Sequence, residues 1–137
     1  MSAPALITWV PLKKRGDERG LLVAVEGERD VPFAIARTYY VFGTAPGVSR
    51  GFHAHKQLQQ VAVCVIGSCT MLMDDGNQKE SVRMDAPDRG LLIPPRVWHE
   101  MSDFSPDCVL LVLASDHYDE ADYLRNYADF LAYVSAS

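Results

Sequence analysis

An all-β jelly-roll barrel closed by one C-terminal helix is the fold this sequence predicts, and three observations predict it. Short apolar or alternating segments, about nine or ten in all, are separated by turn residues roughly every 8–12 positions, the spacing of antiparallel sandwiches and barrels. Three of the four histidines fall in two clusters remote in sequence, His53-Ala54-His55 and His99. A jelly roll gathers such distant strands around one cavity, and two histidines at i and i+2 of an extended segment point to the same face. After Asp116 the pattern turns helical, with apolar residues at Tyr123, Leu124, Tyr127, Phe130, Leu131 and Val134. Residues 1–137 are expected to form a single domain, with the barrel over about 6–115 and the helix over about 119–134.

The elements follow in order. Residues 6–12 read as a first strand, with Pro11 at its edge or end. The charged stretch 13–20, which holds Arg15, Arg19 and two glycines, reads as a turn, 21–25 as a short strand and 26–30 as another turn. A strand over 33–42 places Phe33, Ile35, Arg37, Tyr39 and Val41 on one face. A loop rich in glycine and proline over 43–49 leads into the strand 51–55 that carries the histidine pair. The run 61–66 is apolar without interruption, as in a strand buried on both faces, and Gly67-Ser68 turns the chain back into 69–73. Asp74-Asp75-Gly76-Asn77 is the strongest hairpin signal, because Gly and Asn tolerate the positive φ of tight turns, and 80–84 answers it. Beyond a turn at 86–90, the segment 91–94 is short, 97–101 carries His99, and 109–114 is the last buried strand. The helix begins with Asp119, Glu120 and Asp122, which suit its positive N-terminal end; it is expected to act as a surface cap or an oligomer contact.

With 137 residues the chain buries roughly 68% of its unfolded surface and needs no staples to hold a core. Its net charge of −5 argues against nucleic acid as a partner, while leaving room for a local basic site for a small phosphorylated ligand. No segment approaches the ~20 apolar residues that span a bilayer, and the N-terminus lacks a basic stretch followed by an apolar one, so the protein is expected to be cytoplasmic. Cys64, Cys69 and Cys108 form no CxxC; Cys64 and Cys108 sit inside apolar runs, as buried free thiols do.

The histidines admit two chemistries. Metal-binding cupins carry His-x-His with a glutamate a few residues on and a later glycine; here Gln59 and Gln60 stand where the carboxylate would be, and Gly67 follows. The second cupin motif, Pro-x-Gly-x-x-His, is echoed by Pro94 to His99, with Arg96 in place of glycine. The donor set is therefore short of a carboxylate, and no metal is expected. The other chemistry is proton transfer, since imidazoles with an ordinary pKa near 6.5 can accept and donate near neutral pH. Moving a keto group between adjacent carbons through an enediol needs two proton transfers and no cofactor, with Tyr39 or an imidazolium facing the developing oxyanion.

Several stretches resemble the WxcM-like sugar 3,4-ketoisomerases of the FdtA type. They are Arg50-Gly-Phe-His-Ala-His-Lys56, Val63 to Cys69, Asp74-Asp-Gly76, Val97-Trp-His-Glu-Met101, Asp103-Phe-Ser105 and Val112 to Glu120. The resemblance runs from about Arg19 to Tyr133. It implies a metal-independent cupin homodimer that moves the keto group of dTDP-4-keto-6-deoxy-glucose from C4 to C3, for later transamination to a 3-amino sugar. It also implies that His53 and His55 are the catalytic pair, with the base and the acid unassigned between them. Arg37 and Tyr39, with Arg50 and Lys56, are implied as contacts to the diphosphate or hexose; an arginine fork matches phosphate oxygens bidentately. Arg19 and His99 stand where relatives differ in the C4 configuration of the product, and this pair looks like the galacto-producing type. The rival readings are another cupin enzyme, either a deoxysugar 3,5-epimerase or a metal dioxygenase, and a non-catalytic sugar-binding cupin.

Overall fold

The computed structural model describes residues 5–136. The reading of the extreme N-terminus falls partly on residues 1–4, outside that range. Twelve strands and one α-helix are formed: β1 (Trp9–Pro11), β2 (Lys14–Asp17), β3 (Gly20–Val23), β4 (Arg37–Phe42), β5 (Arg50–His55), β6 (Gln60–Ile66), β7 (Cys69–Asp74), β8 (Lys79–Met84), β9 (Arg89–Ile93), β10 (Trp98–Ser102), β11 (Val109–Ala114), β12 (Tyr123–Leu124) and α1 (Tyr127–Ser135). Two five-stranded antiparallel sheets run in the orders β1-β9-β6-β11-β4 and β12-β5-β10-β7-β8, and β2 and β3 pair as a separate hairpin. This is the jelly-roll barrel expected from the turn spacing.

Three apolar layers hold it. Between the sheets lie Ala62, Cys64, Met71, Met73, Met84, Leu91, Met101, Leu110 and Val112, contributed by β6 to β11. The outer face of the first sheet is covered by the segment before β4, where Val31 and Phe33 pack on Val61, Val63 and Leu113. That second layer is why β6 reads as apolar throughout: most of it is enclosed on both sides, and only Val65 and Ile66 emerge at its end. The outer face of the second sheet is covered by α1, whose fully buried Phe130 meets Ala54, Trp98 and Leu124.

Four expectations change. The charged stretch 13–20 is not one turn: it supplies β2 and the start of a hairpin whose two-residue tip, Glu18-Arg19, is tied by Asp17 Oδ1 accepting from the Arg19 backbone N–H at 2.9 Å. The first strand is shorter than 6–12 and ends at Pro11. The strand expected over 33–42 starts only at Arg37, because residues 31–35 cross the outer face of the first sheet. The helix expected over 119–134 is broken. Asp119 caps a single 3₁₀ turn over Glu120–Asp122, Tyr123–Leu124 then run extended as β12 beside β5, and α1 starts only after Asn126, whose side chain accepts from the Asp129 N–H at 3.0 Å. Local side-chain-to-backbone bonds by Asp and Asn outcompete a continuous helix here. The barrel thus reaches beyond residue 115, to include β12.

Candidate active site

The site is built on a β-bulge in β5. Opposite β10, His53 pairs with His99 and Gly51 with Glu100, which leaves Phe52 as the extra residue. Gly51 takes φ 92° and Phe52 φ 59°. A Cβ on Gly51 would lie 2.8 Å from the His99 carbonyl oxygen, so the glycine of the Arg-Gly-Phe-His run lets β10 close on β5. Beyond the bulge normal alternation resumes: Ala54 packs toward α1, while His53 and His55 share the opposite face. Ring centroids lie 5.0 Å apart for His53 and His55, and 4.5 Å for His53 and His99.

Arg96, in the place of the cupin glycine, takes a left-handed conformation that favours glycine, φ 68°, at a cost of roughly 1–2 kcal/mol for an L-residue. Its backbone N–H donates to the His55 carbonyl at 2.7 Å, and its guanidinium lies over Tyr133 and donates to the Val134 carbonyl at 3.2 Å. One residue therefore ties the end of β5 to α1.

All three imidazoles are held by Nδ1. In His55 it faces Asp122 Oδ2 at 3.1 Å, in His53 the Gly51 carbonyl at 3.1 Å, and in His99 the Val97 carbonyl at 3.4 Å. Burial lowers the pKa of each. His55 is brought down to about 4 by burial and by His53, against the opposing pull of Asp122, and His99 to about 3 by burial and its two neighbours. His53 is lowered by burial, partly offset by its bond to Gly51. The His55–Asp122 contact is thus a hydrogen bond from a neutral ring rather than an ion pair. A neutral imidazole that donates through Nδ1 keeps its lone pair on Nε2, so each ring presents a base.

Two cavities flank this cluster. A cleft of 490 Å³ is lined by Arg37, Tyr39, Arg50, Phe52, His53 and Arg125, with Tyr123 on its boundary. A smaller one of 170 Å³ lies behind it, against His55, His117, Asp116, Asp119 and Asp122. Arg37 and Tyr123 border both. The Arg37 guanidinium lies 5.3 Å from the Tyr39 ring centroid, and its Nε is buried with no hydrogen-bond partner among the described residues. Tyr39 donates to Gln60 Oε1 at 2.6 Å; burial and the neighbouring Tyr123 push its pKa up to about 12, so it stays a protonated donor. The residue at the expected carboxylate position is therefore a buried amide serving Tyr39.

Of the residues singled out in the sequence, His53, Arg37, Tyr39 and Arg50 meet at the wide cleft, and His55 lies against the smaller cavity. His99 is buried behind His53. Lys56 leaves the site: its ammonium lies 5.9 Å from the Tyr133 ring on α1. Arg19 sits at the exposed hairpin tip, paired with Asp17 at 2.7 Å. The sequence reading missed Asp122, Tyr123 and Arg125, all absorbed into the expected helix. Asp122 also accepts from the Gln57 N–H at 2.9 Å, so it pins the turn after β5 as well as His55. Arg125 is held beside Tyr123 and bonded to Glu120 at 2.7 Å. An Asn before the apolar Tyr127–Val134 run was the available signal of a later helix start.

The family FdtA, described as WxcM-like, C-terminal, matches residues 6–135. The chain belongs to this family. It is 52% identical over 126 residues to a TDP-4-oxo-6-deoxy-alpha-D-glucose-3,4-oxoisomerase of Aneurinibacillus thermoaerophilus, covering 92% of this chain and 91% of that one. Its fold superposes with a TM-score of 0.93 on the sugar 3,4-ketoisomerase QdtA of Thermoanaerobacterium thermosaccharolyticum, solved with TDP, at 39% identity and 96% coverage of both chains. The TDP-quinovose 3,4-ketoisomerase WlaRB of Campylobacter jejuni matches with a TM-score of 0.88 and 46% identity, over 92% of this chain and 97% of that one. FdtA-type members such as these share the cupin jelly roll, and the helix-capped barrel described above is this family's fold.

Proposed function

We infer that this FdtA-family member is a 3,4-ketoisomerase of dTDP-4-keto-6-deoxy-glucose. The observation that carries the reading is a neutral histidine, anchored through Nδ1, at the wall of a cleft rimmed by three arginines. Arg37, Arg50 and Arg125 offer forked donors to a diphosphate in an otherwise acidic protein, which places the hexose toward His53. The C4 ketone acidifies the C3 proton, and His53 Nε2 takes it; the C–H electron pair becomes the C3=C4 double bond of an enediol. The O4 oxyanion gains a proton, the O3 hydroxyl gives one up, and the imidazolium delivers a proton to C4, which leaves the ketone at C3. Tyr39, protonated and bonded to Gln60 Oε1 at rest, turns its one hydroxyl proton from that amide to the developing oxyanion. His55, held by Asp122 and packed edge-on against His53, tunes that ring and carries protons toward the smaller cavity. The reaction calls for no cofactor. Arg19 and His99 support a product of galacto configuration.

The active form is a homodimer. The hairpin β2–β3 pairs with no other strand among the described residues and exposes Leu21 at 67%; β4, at the edge of its sheet, exposes Phe42 at 67%. Such apolar area on strands suits burial against a second copy, and a hairpin docked there would bring Arg19 toward the partner's cleft. Among the described residues no helix is long and apolar enough to cross a membrane, and the three unpaired thiols suit the reducing cytoplasm. Proton NMR with dTDP-4-keto-6-deoxy-glucose in D₂O, with and without chelator, tests the reading. A 3-keto sugar carrying deuterium in both samples is the expected result, and the C4 proton coupling in H₂O reports its configuration. An unchanged spectrum would overturn the assignment and return a binding role to the cleft.

A further inference from the structure

We propose that Cys64, Cys69 and Cys108 form a binding site for one soft, thiophilic d¹⁰ cation at the end of the barrel away from the histidines. The three Sγ atoms lie within 4.8 Å of one another, with Cys64 and Cys108 3.6 Å apart, and all three residues are buried. They come from different elements: the middle of β6, the start of β7 and the loop before β11. Metal–sulfur bonds of about 2.3 Å put bound thiolates about 3.8–4.0 Å apart, so the sulfurs need to move by less than roughly an ångström to share one ion. A softer donor stands beside them. Met84 is the cross-strand partner of Cys69, and Met71 lies two residues along β7 on the same face; both are fully buried. Thiolates with a thioether as a neutral further ligand select ions such as Cu(I), Zn(II) or Cd(II) over hard cations.

The cluster is distinct from the reaction site. Cys64 is four residues along β6 from Gln60, and Cys69 is four along β7 from Met73, the partner of His99; either path spans about 13 Å at strand rise. A clasp closes over it. The Ser105 N–H donates to the Ser68 carbonyl at 2.8 Å, the Ser68 N–H to Ser105 Oγ at 2.9 Å, and Ser105 Oγ to Asp107 at 2.7 Å. Gly67, at φ 72°, lets this clasp approach: a Cβ there would meet Ser105 Oγ at 2.3 Å. Burial pushes the Cys108 thiol up to about 11. Binding breaks three S–H bonds, forms three metal–sulfur bonds and releases three protons to water, so affinity rises with pH.

The test uses the reduced full-length protein, stripped with chelator and titrated with Cd²⁺ as the probe. One tightly held ion per chain, a thiolate-to-cadmium charge-transfer band, proton release and protection of the thiols from alkylation are expected. All four should be lost in Cys69→Ala and Cys64→Ala, and kept in His53→Ala. Uptake that persists in both cysteine variants, or that disappears in His53→Ala, would move the ion to the imidazoles and overturn the proposal. So would the absence of uptake by the wild-type protein. His53→Ala leaves the core intact and keeps the test decisive if a cysteine variant fails to fold.

Discussion

The Nδ1 atom of His55 meets Oδ2 of Asp122 at 3.1 Å, joining residues 67 apart in sequence. The contact fixes which nitrogen of a neutral ring is basic, and the same carboxylate holds the backbone just after β5 through the Gln57 N–H. Replacing it with a neutral amide of the same shape keeps the packing and removes the orienting charge. Asp122→Asn should therefore lower kcat by about 10–100-fold, the rate equivalent of a charged hydrogen bond of about 1.5–3 kcal/mol. Asp122 raises the His55 pKa against burial, so its loss should move the acid limb of the kcat profile to still lower pH. A merely structural loss would leave that profile in place.

The buried histidines make the fold acid-sensitive. His55 and His99 bind protons more weakly folded than unfolded, with pKa values near 4 and 3 against the usual 6.5. In that window the unfolded chain holds more protons, so stability rises with pH. It is fully present above about 6.5 and is lost progressively as pH falls toward the folded values. Thermal melts should show Tm falling steadily below pH 6.5, and His99→Gln, which removes one titrating ring, should flatten the slope. A wild-type Tm that does not change from pH 7 to pH 4.5 would contradict the burial argument.

Arg37 serves the cleft from its inner boundary, with a buried Nε that has no hydrogen-bond partner among the described residues. A diphosphate oxygen would satisfy it. Arg37→Met keeps the stem that packs near Tyr39 and removes the fork, so KM should rise by at least about tenfold, with a smaller change in kcat. Steady-state kinetics separate the two. An equal loss in kcat at unchanged KM would instead place Arg37 at the reacting carbons.

The barrel was legible in the sequence because alternation, turn chemistry and the doubly buried run of β6 are local patterns, and the histidines were legible because their spacing matches strand geometry. Arg37, Tyr39 and Arg50 came from the family resemblance, with Arg37 and Tyr39 also sharing one face by alternation. Asp122, Tyr123 and Arg125 were hidden by periodicity: Tyr123, Leu124, Tyr127 and Phe130 fit a helix, which the Asp119 and Asn126 caps break and from which tertiary hydrogen bonds to Gln57, Leu58 and His55 draw Asp122 away. The bulge at Phe52 was equally hidden, since it exists only against β10. Lys56 and Arg19 carry the right charge, but the chain directs one to Tyr133 and the other to the hairpin tip.

α1 supports the site from behind. Phe130 is completely buried against Ala54, the residue between the two histidines, and against Trp98 next to His99. Phe130→Ala should cost about 3–5 kcal/mol in denaturant unfolding, because a cavity opens between helix and sheet. The variant should also lose kcat at temperatures where it remains folded, since β5 then lacks its backing. Unchanged turnover in a destabilised variant would show that β5 holds the histidines without the helix.

Arg19 is a candidate site residue that neither cavity of the single chain includes. Its side chain is 85% exposed and paired, among the described residues, only with Asp17. Leu21 and Leu22 on the same hairpin are exposed too, an arrangement that burial on a partner would stabilise by roughly 25 cal/mol for each Å² covered. Leu21→Glu should therefore shift the sedimenting species from about twice the chain mass toward one chain of 15.2 kDa. If the hairpin carries Arg19 into the neighbouring cleft, Arg19→Tyr should change the C4 proton coupling of the product while leaving the dimer intact. Leu21→Glu should alter product and mass together. A wild-type protein sedimenting as a single chain would confine the site to one subunit and leave Arg19 without a part in it.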